Sequence, residues 1–463
     1  MDRMTPLDAA FLLAEDEEPE VSLAISSIAV FDGPPPSAAE FAALIAGRLP
    51  LVPRYRQKVR EIPLDLGPPV WVDDEHFDLD YHLRRVALPV PGGDAELAVL
   101  MGRVMSARLD RDRPLWEYWL VEGLAGGRWA LISKVHHCMV DGVSGTDLYG
   151  VILDDSPRGR AAEPDDWQPG HEPSTVALTT DALRRLVLNP VEQVRALIRG
   201  LWHAGRFAGV VRDTALGLVT LSTVLGPATS SSLSGPLSVQ RRFTWRRASV
   251  DDVKTVRRAF GGTFNDVILA AVTGGFRTLL FSRNEVPHAD SARTLVPVNI
   301  RAPGEESIRD NRVSLMVARL PVDVDNPIAR HALVRTRLDA LKSGKESEAG
   351  AALVELATHE PFPLLAAPFR LAAHLPQRSV VTVATNVPGP RSRLYALGCP
   401  LVEIIPYVPI ASTLRTGVSI FTYGGQVTFG VTGDYGAAAD IDVLADGIEQ
   451  ALAELVTLAG RDG

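Results

Sequence analysis

A hairpin that runs straight into a cluster of reactive side chains constrains this chain most. Residues 116–122 read as a strand, 123–127 as a glycine-bearing turn and 129–135 as a second strand, which predicts an antiparallel pair. His136-His137-Cys138-Met139-Val140-Asp141-Gly142 follows at once, and a helical stretch over about 144–153 comes next. The cluster therefore sits where a strand gives way to a helix. Further strands are expected at 21–31, 241–246, 293–300, 313–320, 380–385, 417–422 and 426–433. Helices are expected at 37–49, 250–259, 264–283 and 441–458. These elements mix without regular βαβ alternation, so the fold class is α+β, with layers in place of a doubly wound sheet.

With 463 residues, 46% of them hydrophobic, the chain can bury a large core, and its length predicts two or three domains. Residues 156–173, rich in Pro, Gly and Asp, read as a domain edge. A helical region over about 180–224, broken at Pro190, follows, and a serine-rich run with Gly235-Pro236 closes it. The division expected is 1–165, a crossover linker over 166–236, and 237–463. A formal net charge of -9 excludes the basic field that nucleic-acid binding needs, leaving small molecules, proteins or neutral lipid as partners. Two cysteines, Cys138 and Cys399, make no disulfide framework and point to a reducing compartment. The acidic first 32 residues do not read as a secretory signal, and no apolar run reaches the ~18 residues of a spanning helix, so a cytoplasmic chain, soluble or peripheral, is expected.

His136, His137 and Asp141 form the densest reactive group. A neutral imidazole accepts a proton from an attacking alcohol or amine, an acid four residues on can fix the ring, and Gly142 suits a tight turn. A metal site and a purely structural turn remain alternatives on these residues alone. Adjacent histidines on a regular strand face opposite ways, so one of the two can be ordinary core.

HHCMVDG resembles the HHxxxDG signature of the bacterial wax ester synthase/acyl-CoA:diacylglycerol acyltransferase family, related to chloramphenicol acetyltransferase and to peptide-synthetase condensation domains. Companion segments resemble the same family in order: Pro6 to Leu12, Phe77-Asp78-Leu79 before His82, Leu109-Asp110-Arg111 leading into Pro114-Leu115-Trp116, and Ser232 to Pro236 with Arg241-Arg242. Asn265-Asp266, Val296 to Arg301, Asn311-Arg312 and Asn386-Val387-Pro388-Gly389-Pro390 continue it, so the likeness covers nearly the whole chain.

The resemblance implies two chloramphenicol-acetyltransferase-like domains with mixed sheets and an active-site tunnel at their interface. It implies transfer of a long-chain acyl group from acyl-CoA to the hydroxyl of diacylglycerol or a fatty alcohol, with His137 as general base and no metal or resident cofactor. His136 is then support for the site or packed core, and Asp141 pairs with an arginine, for which Arg301 is the candidate. Asn265 either bonds the substrate carbonyl or caps the helix beginning there. Pro114, Leu115 and Trp116 read as core and tunnel wall, and Asn386, Pro388 and Gly389 as a turn by composition with a tunnel role by resemblance. Lys134 is expected to be a solvated strand residue and Cys138 to take no part. A condensation-like transferase with another acceptor and a non-catalytic lipid-binding protein are the competing functions. The arginine-studded stretch 183–225 reads either as an amphipathic helix on a membrane or lipid-droplet surface or as an interdomain crossover. No oligomeric state is legible.

Overall fold

In the computed structural model, residues 2–139, 149, 151–188, 231–299, 313–343 and 380–460 are described. The predicted hairpin is present: Trp116–Leu124 and Arg128–His136 pair antiparallel, Trp116 opposite Val135 and Val121 opposite Ala130. It supplies the fourth and fifth strands of a six-stranded mixed sheet ordered Tyr395–Ala396, Cys399–Tyr407, Ala24–Phe31, Arg128–His136, Trp116–Leu124, Leu83–Ala87. The last pair is parallel and the others antiparallel. Phe31 and Trp129, both fully buried, stack at 4.3 Å across the sheet.

The second six-stranded sheet runs Val313–Arg319, Arg293–Asn299, Thr382–Pro388, Thr416–Tyr423, Gln426–Asp434, Arg241–Ser249, with Thr382–Pro388 parallel to both neighbours. Against it pack the Phe264–Ser282 and Ile441–Ala459 helices, which form the core of this half. They meet at Gly275, where an added Cβ would lie 2.5 Å from Ile448 Cγ1 and 2.8 Å from the Leu444 carbonyl oxygen, so any side chain there would separate the helices. The Phe264–Ser282 helix is long and apolar enough to cross a membrane, contrary to the expectation that no segment reaches that length. Its most apolar stretch is 72% buried inside the protein, as suits a core helix.

Sequence order and sheet membership part company at Cys399–Tyr407. This strand lies in the segment expected to form the second half, yet it pairs antiparallel with Ala24–Phe31, with Ile404 opposite Ala29. Its alternation is obscured because Ile404, Ile405, Pro406 and Tyr407 are all buried, where this strand of the first sheet also touches strands of the second. The halves also meet where the Asp94–Ser106 helix lies on Arg241–Ser249. There Arg247 donates to Glu403 at 2.7 Å, and Ser106 Oγ accepts the Arg241 amide at 2.8 Å.

The Pro, Gly and Asp-rich stretch folds back on a small sheet of Asp2–Arg3, Val70–Asp73 and Gln57–Arg60. Asp165 accepts from Arg56 at 2.9 Å and Lys58 pairs with Glu172 at 2.9 Å. The following Thr175–Leu188 helix buries Leu178 and Ala182 against Ile62, Val70 and Val72. The expected 144–153 helix, apart from Tyr149 and its last residues, and nearly all of 183–225 lie outside the described residues.

Candidate active site

The hairpin delivers two histidines to different fates. His136 ends its strand opposite Ala24, with its amide bonded to the Leu115 carbonyl at 2.9 Å; His137 opens a 3-10 turn, with its amide on the Leu23 carbonyl at 3.2 Å. The chain thus leaves the sheet between two flanking segments that hold both backbones.

His136 is 1% exposed and spends both ring nitrogens internally. Nδ1 accepts the Cys138 amide at 3.3 Å and has the Cys138 Sγ at 3.0 Å, so Nε2 carries the proton and donates to Glu15 Oε2 at 2.5 Å. Burial pushes the Glu15 carboxyl up, but the His136 hydrogen bond and the Arg111 and Arg108 guanidinium groups outweigh it and hold it below the usual range. Burial pushes the Cys138 thiol up, so it stays protonated and is no nucleophile.

His137 stacks on Phe11 with ring centroids 3.9 Å apart, and its Nδ1 is buried with no hydrogen-bond partner among the described residues. Burial, with His136 alongside, lowers its pKa to about 4, so the ring is neutral at pH 7. A neutral imidazole with an uncommitted nitrogen can accept a proton. Phe11 and Glu15 come from one helix, Pro6–Glu17, begun by Thr5 as N-cap with Pro6 in the first turn; spaced four apart, they share a face. Glu15 was legible in sequence only as part of an acidic run, because nothing local ties it to a histidine 121 positions away.

Leu115 and Trp116 are fully buried, and Pro114 is buried beside them. Trp116 donates to the Tyr55 carbonyl at 2.8 Å and stacks on His82 at 4.4 Å, while His82 Nδ1 donates to the Trp116 carbonyl at 2.8 Å. These residues are core beside the strand that ends at His136. Lys134 is not solvated as expected: it is 1% exposed and donates to the Val104 and Ala107 carbonyls at 2.9 and 2.6 Å, and burial lowers its pKa to about 8. It closes the C-terminal end of the Asp94–Ser106 helix, where a cation is favoured by the helix dipole.

In the second half, Thr263 caps the Phe264–Ser282 helix in a capping box with Asp266, so Asn265 is not the cap. Instead Asn265 Oδ1 accepts from Asn386 Nδ2 at 3.4 Å, which directs its own amide NH2 elsewhere. Asn386 and Pro388 belong to a strand, where their composition reads as a turn; Pro388 is exposed. A Cβ on Gly389 would fall 2.0 Å from the Thr422 carbonyl oxygen and 2.6 Å from Phe421 Cε1. Phe421 meets Tyr149 of the first half edge-on at 6.2 Å, and the Tyr149 hydroxyl bonds Ser27, two strands' width from the hairpin's outer member. Tyr149 and Phe421 join the halves, and no sequence signal marked them. Asp141, Gly142 and Arg301 lie outside the described residues. Among the described residues no three His, Cys, Asp or Glu side chains are grouped to hold a metal ion.

Residues 4–268 match the family description "Wax ester synthase/diacylglycerol acyltransferase catalytic domain", and residues 310–456 match "WS/DGAT C-terminal domain". A probable diacylglycerol O-acyltransferase of Mycobacterium tuberculosis (strain ATCC 25618 / H37Rv) is 43% identical over 463 residues, covering 100% of this chain and 97% of the relative. A putative one of Mycobacterium bovis is equally similar, 43% identical over the same coverage. Among solved structures, the wax ester synthase/diacylglycerol acyltransferase of Marinobacter aquaeolei VT8 superposes with a TM-score of 0.66 at 25% identity, covering 99% of this chain and 100% of that one. The first condensation domain of the calcium-dependent antibiotic synthetase gives 0.59 at 16% identity over 99% and 96%, a likeness of fold alone.

Proposed function

Because the chain belongs to the wax ester synthase/diacylglycerol acyltransferase family and is thus an acyltransferase, we propose that it moves a long-chain acyl group from acyl-CoA to the hydroxyl of diacylglycerol, a fatty alcohol or both, with His137 as general base. The observation that carries the reading is the His137 ring, neutral at pH 7 and held by Phe11 with Nδ1 uncommitted among the described residues. His137 takes the acceptor's proton, the alkoxide oxygen bonds to the thioester carbonyl carbon, and the carbon–sulfur bond breaks. The departing thiolate takes the proton back from the imidazolium and leaves as CoA thiol. Direct transfer needs no acyl-enzyme and calls for no metal or resident cofactor; the protonated Cys138 thiol accords with that.

The Asn265 amide, turned away from Asn386, is the group we assign to the carbonyl oxygen as negative charge builds on it. We assign the space between the halves, where Tyr149 meets Phe421 next to Gly389, to a tunnel reached by acyl-CoA and acceptor. An acceptor insoluble in water calls for contact with a lipid phase, and we read the chain as cytoplasmic and peripheral on a membrane or lipid-body surface. The support is Leu64, 88% exposed on its turn, and Val176, 74% exposed on the helix that touches that turn. The deciding assay is release of CoA thiol from palmitoyl-CoA, run with dioleoylglycerol and with hexadecanol. Acceptor-dependent release that His137→Ala abolishes supports the proposal; equal release by the variant removes it.

A further inference from the structure

Glu15 is a buried acid that contacts the turn directly, through His136, and acyl transfer makes no use of it. We infer that Glu15 is a positioning residue for this reaction: through its hydrogen bond to His136 it holds the turn that presents the His137 ring. The inference rests on His137 being the base.

The imidazole of His136 spans the turn. Its Nδ1 accepts the amide of Cys138, so ring and amide close a loop around His137, the residue between them. That bond requires Nδ1 to be bare and Nε2 to be protonated, and the acceptor that selects this tautomer is Glu15 Oε2 at 2.5 Å. Rotation of the His136 ring would break the Cys138 bond and free the backbone on which the His137 ring is mounted.

The same helix face supplies Phe11 to the His137 ring, so one element sets both ring planes. Around the carboxylate stand Arg108 at 3.7 Å and Arg111 at 3.6 Å, with Asp16 taking a second Arg111 contact at 3.0 Å. Arg108 also donates to the carbonyls of Glu15, Glu18 and Val21, which ties the end of the helix to the segment entering the Ala24–Phe31 strand. Glu15 is thus anchored before it anchors His136, and it acts through another side chain.

The test is steady-state thiol release with palmitoyl-CoA and dioleoylglycerol, per folded molecule, for Glu15→Ala, Glu15→Gln, His136→Ala and the Glu15→Ala/His136→Ala double variant. Misplacing a catalytic group by about 1 Å costs on the order of a hundredfold, so Glu15→Ala should lower kcat by about that factor with KM for palmitoyl-CoA little changed. Glu15→Gln, whose amide oxygen still accepts the Nε2 proton, should recover most of kcat. The double variant should be no slower than the slower single one, because both break the same link. Wild-type kcat in Glu15→Ala, no recovery in Glu15→Gln, or losses that multiply in the double variant would each overturn the inference. If Glu15→Ala yields no folded protein, the remaining pair decides: Glu15→Gln near wild type with His136→Ala slowed supports it, and Glu15→Gln slowed overturns it. A His137→Ala variant of full activity sinks the parent reading; an inactive one beside an unaffected Glu15→Ala sinks this inference alone.

Discussion

One strand of each six-stranded sheet leads to the proposed site, and the two are furnished differently. Arg128–His136 carries Lys134 and His136 and then gives way to His137, all ionisable; Thr382–Pro388 carries Asn386 and gives way to Gly389, neither of which titrates. On the first strand the buried ionisable groups have dedicated partners: two helix carbonyls for Lys134, Glu15 for His136. On the second the geometry comes from backbone proximity and one amide-to-amide contact. Burying a charge without a partner costs several kcal/mol, so a region that handles protons must bring its partners along, whereas one that supplies a dipole needs only to hold still.

On that division, the largest loss comes from the first strand's turn. His137→Ala should lower turnover by roughly two to four decades, the range for a general base, with little change in melting temperature since the ring makes no hydrogen bond through Nδ1 among the described residues. A folded variant with wild-type thiol release would erase the distinction between the two strands.

Next comes the dipole. Asn265→Ala should cost about a hundredfold in kcat, as removal of an oxyanion donor does, and leave the melting temperature nearly unchanged, because Thr263 and Asp266 cap that helix. A loss of stability with normal kcat would assign Asn265 to packing and leave the second strand without a catalytic part. Smaller still in kinetics, but visible in stability, is Gly389→Ala. Its Cβ would meet a backbone oxygen at 2.0 Å, which cannot swing aside, so the strand must shift at a cost of about 1 to 3 kcal/mol in a thermal melt. An unchanged melt would mean that the close approach to Thr422 does not hold the second strand.

What the sequence made legible follows the same line. The hairpin, most second-half strands and the Phe264–Ser282 and Ile441–Ala459 helices were readable because each carries its own periodicity, to which the first of these helices adds a capping box. The Cys399–Tyr407 strand was not, since a run buried on both sides does not alternate and its partner lies some 370 positions earlier. The motif histidines were found by local pattern and resemblance. Glu15, and the burial of Lys134, depend on contacts between distant segments, which no local pattern carries. Asn265 was ambiguous for a simpler reason: Thr263 and Asn265 both suit a helix start, and only the backbone decides which one caps.

The smallest expected effect is an absence, and it bears on how the first strand keeps its histidine neutral. A histidine with the ordinary value near 6.5 would be about nine-tenths protonated at pH 5.5, and an enzyme using it as a base would lose about tenfold in kcat/KM there. Burial disfavours the charged ring of His137 and lowers its pKa to about 4, so the neutral, proton-accepting form persists as the pH falls and is lost only as it passes through that value. The acid limb of kcat/KM, which reports the free enzyme, should accordingly lie well below pH 6.5, with the profile nearly flat between pH 5.5 and 7. Opening the site should undo this. Phe11→Ala removes the ring stacked on His137 and admits water, so the limb should move up toward 6.5 while the pH 7.5 rate changes less than the pH 5.5 rate. A wild-type limb already at 6.5, or one that Phe11→Ala does not move, would show that burial by this helix does not set the protonation of His137.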